Sequence, residues 1–490
     1  MNPELLPRVR TFLTQNPVPH WIGGKPHTTG GRIFITDPST GKRLAETDLG
    51  GAAEIDLAVE AAARAFPTWS ALKPGERGAV LQRWADRMQA QAAELAQMES
   101  LDVGKAITAA EAFDIPFGLE GLRYFATLAG QSSYETPLAL AGMEARVHRS
   151  PYGVCGFIFP WNFPFDLFIW GVAPALAAGN TVVVKPSEVT PLSTLYAAQL
   201  ATEAGLPDGV LNVVVGDGPD AGAALAGHRK VRRMSFTGSP EAGSRVAEVC
   251  GRRIVPCKLE LGGKGAAVIF PDVDPVDTAQ KLVAALTLNT GQVCCTATRW
   301  IVHRDVADRF TEAAVAALEK VKIGPGQDRL TEMGPVVNEN QRRRVEGYFE
   351  KGKKEGARPV LAPRQSLPGG FFVTPWVLEG GPENVCFREE VFGPAAYVTR
   401  FGDEAEALNL VHHVDYGLAN SVWSGDLQRA GRVAEQMEVG NAWINAHNVF
   451  AYGLPYGGVN RSGMGGGVNS PATFHDYLRP TTIARPLPTA

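Results

Sequence analysis

The chain has 490 residues, a formal net charge of −4 at pH 7, 45% hydrophobic and 20% charged residues. Such a length exceeds one ordinary core and implies two or three globular domains. The mild acidity excludes a broad basic surface for nucleic acid or anionic lipid.

The stretch Met1-Asn2-Pro3-Glu4-Leu5-Leu6-Pro7 has no basic segment followed by an apolar run, so no secretory signal is expected. The six cysteines (155, 250, 257, 294, 295 and 386) show neither CxxC spacing nor a histidine cluster. Free thiols in a reducing cytoplasm, and no metal site, are the expectation. After a short strand region, a helix is expected over 55–66, ending before Pro67. Another begins at Leu81, where Leu81, Trp84, Ala85, Met88, Ala92 and Leu95 recur at helical spacing.

From Gly153 the texture changes. β-rich runs at 154–159, 181–184, 210–215, 232–236 and 266–270 alternate with helical segments at 167–178, 192–204, 220–226 and 240–250. That alternation predicts parallel pairing with crossovers, an α/β doubly wound sheet. The apolar span 152–179 is interrupted by Pro160, Asn162, Pro164, Asp166 and Pro174. A membrane-spanning helix needs about 20 uninterrupted apolar residues, so a buried strand, loop and helix fit better. A second α/β alternation follows, with a helix at 276–289, a strand at 300–302 and a helix at 306–322. Arg342-Arg343-Arg344 reads as a solvated helix face. The tail from Gly453 is glycine-rich and is expected to form a loop and then a strand at Thr481-Thr482-Ile483.

Five local elements can carry chemistry. In Gly291-Gln292-Val293-Cys294-Cys295, glycine allows a tight turn that presents a thiol nucleophile. In Leu259-Glu260-Leu261-Gly262-Gly263-Lys264, a carboxylate closes a strand, where it can take a proton from water. In Pro160-Trp161-Asn162-Phe163-Pro164, two prolines fix an amide donor suited to an oxyanion. Val184-Lys185-Pro186-Ser187-Glu188 ends a strand with groups suited to ribose hydroxyls. Gly216-Asp217-Gly218-Pro219-Asp220-Ala221-Gly222 has GxGxxxG spacing rather than the dinucleotide GxGxxG. It is followed by Phe236-Thr237-Gly238-Ser239-Pro240, where a helix N-terminus can meet a phosphate. Alone, each also fits a plainer role: a buried thiol, a surface carboxylate, a turn-satisfying Asn, an ion pair, a Ser N-cap.

Taken together and in this order, these motifs and Glu390-Val391-Phe392-Gly393-Pro394 resemble the aldehyde dehydrogenase superfamily over nearly the whole chain. The resemblance implies that Cys294 attacks an aldehyde and that Asn162 and the Cys294 backbone N–H hold the oxyanion. Hydride then leaves to NAD(P), and Glu260 activates water to hydrolyse the thioester. Lys185 is implied at the catalytic and cofactor site. With it for the cofactor come Phe159, Trp161, Ser187, Glu188, Gly218, Phe236, Gly238, Ser239, Gly262, Glu390 and Phe392. Glu188 accepts from a ribose 2′-OH and repels a 2′-phosphate, which favours NAD over NADP.

The substrate entrance is implied at Phe113, Phe117, Phe163, Leu167, Trp170, Val293, Cys295 and Phe450. Its aromatic character points to an apolar or aromatic aldehyde. Asp166 is an alternative pointer to an aminoaldehyde, or simply an acid at a helix start. CoA in place of water, or a non-catalytic role, are further alternatives; Glu260 counts against the first, and the presence of Glu260, Asn162 and Cys294 together against the second. The expected division is a cofactor domain (1–122 and 143–258), a catalytic domain (259–446), and an oligomerisation hairpin with the C-terminal segment (123–142 and 447–490), assembled as a homodimer or tetramer. The tail departs from the family pattern: Asn460 stands where a Lys is usual and Gly466-Gly467 where Arg-Glu is usual. The stretch 463–467 is therefore expected to be mobile.

Overall fold

The structure, a computed structural model, describes residues 4–487. Residues 1–3 of the N-terminal stretch thus lie outside the described residues. The first sheet has eight strands in the order Lys25–His27, His20–Ile22, Leu211–Val213, Thr181–Lys185, Val154–Ile158, Val231–Thr237, Cys257–Glu260, Gly463–Met464. The central five run parallel. Thr181–Lys185 is buried throughout, as its Val-Val-Val run requires for a strand covered on both faces. The chain runs outward from Val154–Ile158 on one side and returns to its other side at Val231–Thr237. The carboxyl ends at this reversal form the crevice where open α/β sheets bind ligands. The doubly wound expectation is borne out.

The second sheet has seven strands: Arg358–Leu361, Trp376–Glu379, Ala395–Phe401, Ala297–His303, Gly265–Ile269, Ala419–Trp423 and Asn441–Ile444. All pairs are parallel except the first. A third, antiparallel sheet joins Leu478–Pro486, Met143–Pro151 and Glu135–Leu140. No helix among the described residues is long and apolar enough to cross a membrane.

Several expectations need correction. The first long helix does not stop at Pro67 but runs Ala52–Ala71. Pro67 is exposed, so the carbonyl it leaves unpaired can meet water. Trp69 beyond it is fully buried, donating from Nε1 to the Leu176 carbonyl at 3.1 Å. That burial offsets the lost helical bond. The hairpin lies at 135–151 rather than 123–142, because Ile115–Gln131 is a single helix with a buried face. A boundary at 258 cuts the strand Cys257–Glu260, which belongs to the first sheet. The glycine-rich stretch is not loose: Gly463–Met464 pairs with Leu259 and Glu260.

Candidate active site

Cys294 sits on a loop between a short 3₁₀ turn, Leu288–Gly291, and the strand Ala297–His303. The loop is built on unusual backbone. Asn289 and Thr290 have φ of 45° and 58°, and Gly291 has φ of 70°. A Cβ on Gly291 would come within 2.2 Å of the Gly393 carbonyl. Glycine there lets the loop rest on the Gly393-Pro394 turn. Buried Gln292 locks the loop: its Nε2 donates to the Asn289 carbonyl at 3.0 Å and its Oε1 accepts from Val337 N–H at 2.9 Å.

Asn162 is tied to the same loop. Its Nδ2 donates to the Gln292 carbonyl at 3.0 Å, and its own carbonyl accepts from Asn289 Nδ2 at 2.8 Å. One Nδ2 proton holds the amide in place and the second remains for an oxyanion. The Glu260 motif reaches the loop from the other side. A Cβ on Gly263 would stand 2.2 Å from the Cys294 carbonyl, so only glycine fits that approach. Cys294, Asn162 and Glu260 all line one cavity of about 570 Å³.

The Cys294 sulfur lies 3.6 Å from the Tyr456 hydroxyl. The neighbouring Cys295 sulfur and burial hold the Cys294 thiol above the ordinary range, so the resting nucleophile is protonated. Cys295 is fully buried and its sulfur faces Asn448 Oδ1 at 3.4 Å. Glu260 is buried, neither carboxylate oxygen makes a hydrogen bond, and burial pushes its carboxyl well above the usual range against the pull of Lys258.

On one side of Cys294 the wall is aromatic: Phe113, Phe163, Trp170 and Phe450, with Leu167, Val293 and Cys295, line the cavity. Phe117 does not. It stands behind the wall, stacked on Phe113 at 5.1 Å and on Tyr452 at 4.7 Å. Asp166 stands in the first turn of the helix Pro164–Ala178, as an acid at a helix start, but it is buried. It is 2% exposed, neither oxygen makes a hydrogen bond, and burial followed by Asp114 pushes its carboxyl well up. It contributes a buried carboxyl to this wall.

On the other side lie Phe159, Trp161, Gly238, Ser239, Gly262, Glu390 and Phe392. Trp161 and Phe392 meet edge to face at 5.3 Å. Glu390 Oε1 accepts from Gly263 N–H at 2.9 Å, and burial raises its carboxyl to about 7. Ser239 caps the helix Pro240–Arg253, accepting from Ala242 N–H. Lys185, Ser187, Glu188 and Gly218 are absent from this cavity's lining. They lie at or just beyond the carboxyl ends of Thr181–Lys185 and Leu211–Val213, on the same sheet edge. Lys185 Nζ lies 3.2 Å from Glu188 and donates to the Gly216 carbonyl at 2.7 Å, which joins those two loops. Phe236 is buried beneath Gly238 rather than lining the cavity.

Tyr456, Gln292, Asn289 and Lys258 were not singled out from sequence. Lys258 alone left a legible signal, a charge inside a run otherwise reading as buried strand. Tyr456 lies in the aperiodic tail.

A sequence model of the Aldehyde dehydrogenase family matches residues 26–483. The chain is 39% identical over 455 residues to a betaine aldehyde dehydrogenase of Mesorhizobium japonicum, covering 91% of this chain and 93% of that one. It is 36% identical over 456 residues to a phenylacetaldehyde dehydrogenase of Pseudomonas fluorescens, covering 91% and 90%. The structure superposes on an NAD+ complex of an aldehyde dehydrogenase from Bacillus cereus with a TM-score of 0.96 at 34% identity, covering 99% and 100%. A thiol, an amide and a carboxylate converging on one crevice, in a chain similar to these proteins along its length, place it in the aldehyde dehydrogenase family.

Proposed function

We propose that this chain oxidises an apolar or aromatic aldehyde to its carboxylic acid with NAD as the hydride acceptor. The observation that carries the reading is the meeting of Cys294, Asn162 and Glu260 on one cavity with an aromatic wall. Cys294 Sγ gives up its proton to solvent and bonds to the aldehyde carbon as the C=O π pair moves onto the oxygen. The free Asn162 N–H and the Cys294 backbone N–H hold the oxyanion. Trp161, Ser239, Glu390 and Phe392 would hold NAD, which would supply the hydride acceptor that turns that carbon into a thioester on Cys294. Glu260 then removes a proton from water as its oxygen bonds to the thioester carbon. The C–S bond breaks and the acid departs.

The donor set fits a dinucleotide. Lys185 and Glu188 suit the adenosine ribose, the Ser239-capped helix start suits a phosphate, and Glu390 suits the second ribose. The Glu188 carboxylate disfavours a 2′-phosphate. Burial pushes the Asp166 carboxyl up and so works against a negative charge at the aromatic wall, which favours uncharged aldehydes over aminoaldehydes. A water-activating carboxylate in the cavity favours hydrolysis over transfer to CoA. Six free cysteines fit a reducing, cytoplasmic setting. The exposed three-stranded sheet fits a homo-oligomer, dimer or tetramer, that covers its edges.

The test is NADH absorbance with purified protein, NAD and matched aromatic, aliphatic and trimethylammonium aldehydes, with and without CoA. Turnover without CoA, with kcat/KM highest for aromatic aldehydes, is expected. Activity dependent on CoA, or highest for the cationic aldehyde, would overturn the corresponding part.

A further inference from the structure

Glu260 is 8% exposed and neither of its oxygens makes a hydrogen bond. A carboxyl so buried stays protonated, and useless as a base, unless a nearby positive charge opposes the burial. One stands two residues back. Alternate residues of a strand face the same side, so Lys258 and Glu260 share a face of Cys257–Glu260, beside Ser235 and Thr237 of the neighbouring strand. Lys258 is 1% exposed. Its Nζ lies 2.9 Å from Asp476 Oδ2 and donates to the Gly467 carbonyl at 2.6 Å.

The tail closes the gap between the two side chains. A Cβ on Gly457 would stand 2.7 Å from Gly467 Cα and 3.0 Å from Glu260 Oε1. The ammonium, the bare backbone of two glycines and the carboxylate are therefore contiguous.

We propose that Lys258, anchored by Asp476 and the Gly467 carbonyl, is a positioning residue for the hydrolytic step whose charge opposes the burial of Glu260 and so eases its ionisation. The inference rests on Glu260 being the base. Other charged or titratable groups face the pair. Arg233, from the adjacent strand, lies 4.0 Å from Asp476, and the Tyr477 ring is 6.0 Å from Lys258 Nζ. Cys294 faces Glu260 and opposes its ionisation. Burial pulls the Lys258 ammonium below its ordinary value, against the pull first of Asp476 and then of Glu260. Glu260 accepts the proton from water and Cys294 leaves as the thiolate. In this role Lys258 transfers nothing.

Lys258→Gln keeps a donor for the Gly467 carbonyl and removes the charge; Lys258→Arg keeps the charge. Both are compared with Glu260→Gln by stopped-flow NADH bursts and by kcat against pH. Lys258→Gln is expected to retain the burst, lower kcat about tenfold at neutral pH and move the acid limb of kcat up by about one pH unit. Lys258→Arg is expected to keep the wild-type limb. If Glu260→Gln slows turnover while the Lys258→Gln profile superimposes on wild type, or if Arg shifts the limb as far as Gln, the lysine inference fails. If Glu260→Gln turns over normally, the base assignment itself fails.

Discussion

Cys294 and Cys295 share a peptide bond and a cavity but differ in exposure. The strand that follows begins at Ala297; both residues line the cavity, Cys294 partly exposed and Cys295 buried with its sulfur toward Asn448 Oδ1. His447 fixes the second: its Nε2 lies 2.8 Å from the Cys295 carbonyl and its Nδ1 3.0 Å from Ser421 Oγ. Burial depresses its imidazolium to about 4, so at neutral pH it is an uncharged brace. Cys294→Ala is therefore expected to lose oxidation by roughly a thousandfold or more while NAD still binds, and Cys295→Ala to stay within about tenfold. Steady-state NADH formation with fluorescence titration of NAD separates the two; activity lost at Cys295 alone would reverse the assignment. Glu390 makes a prediction about pH. Burial raises its carboxyl from 4.5 to about 7 in the folded chain. Its contribution to stability is fully present below about pH 4.5 and is lost as pH rises through about 7. Glu390→Gln removes that loss. The variant is expected to gain on wild type between those pH values, by about 2 kcal/mol after discounting for partial exposure. Thermal midpoints across the range check this, and a difference that does not change with pH would count against it.

At the scale of elements, the sequence is most legible where one force decides. Thr181–Lys185 reads as a buried strand because its valines have no polar face; the helix read over 167–178 ends where Gly179, at φ 100°, closes it, but begins three residues earlier, at Pro164. The parallel order follows from the alternation of such pieces. Legibility fails where long-range packing overrides local chemistry. Pro67 signals a helix end, and Trp69, buried two residues later, outweighs it. The run 463–467 signals freedom, yet it lies against Cys257–Glu260 and adds a strand to the first sheet. The site divides in the same way. Cys294, Asn162 and Glu260 stand in compact motifs whose glycines and prolines announce tight turns. Tyr456 and Asp476 reach the site from the tail, where nothing local marks them. Phe117 and Phe236 belong to motifs or helices at the site but turn to its back, because a helix or strand residue one register away faces the core instead.

For the whole molecule, the two large sheets cover their faces with helices, but the third does not. Every residue of Glu135–Leu140 is exposed, including Leu138 at 43% and Leu140 at 56%, and Ile483 on the opposite outer strand is 39% exposed. Both outer strands of this sheet offer unpaired backbone N–H and C=O groups. An apolar strand edge of this kind templates pairing with another chain unless charge or a bulge blocks it. A second copy satisfies the edge with the same residues from both sides, as a two-fold interface requires. The chain is therefore expected to elute as a multiple of its 52.4 kDa mass. Replacing Leu138 and Leu140 together by Lys puts like charges where two copies meet and is expected to shift the protein toward the monomer. The cavity draws no lining residue from this sheet, so the monomer should keep its fold and bind NAD. Light scattering coupled to size exclusion reads the mass. A wild-type mass of one chain would remove the pairing argument, and a doubly substituted protein that stays oligomeric would move the interface elsewhere on the surface.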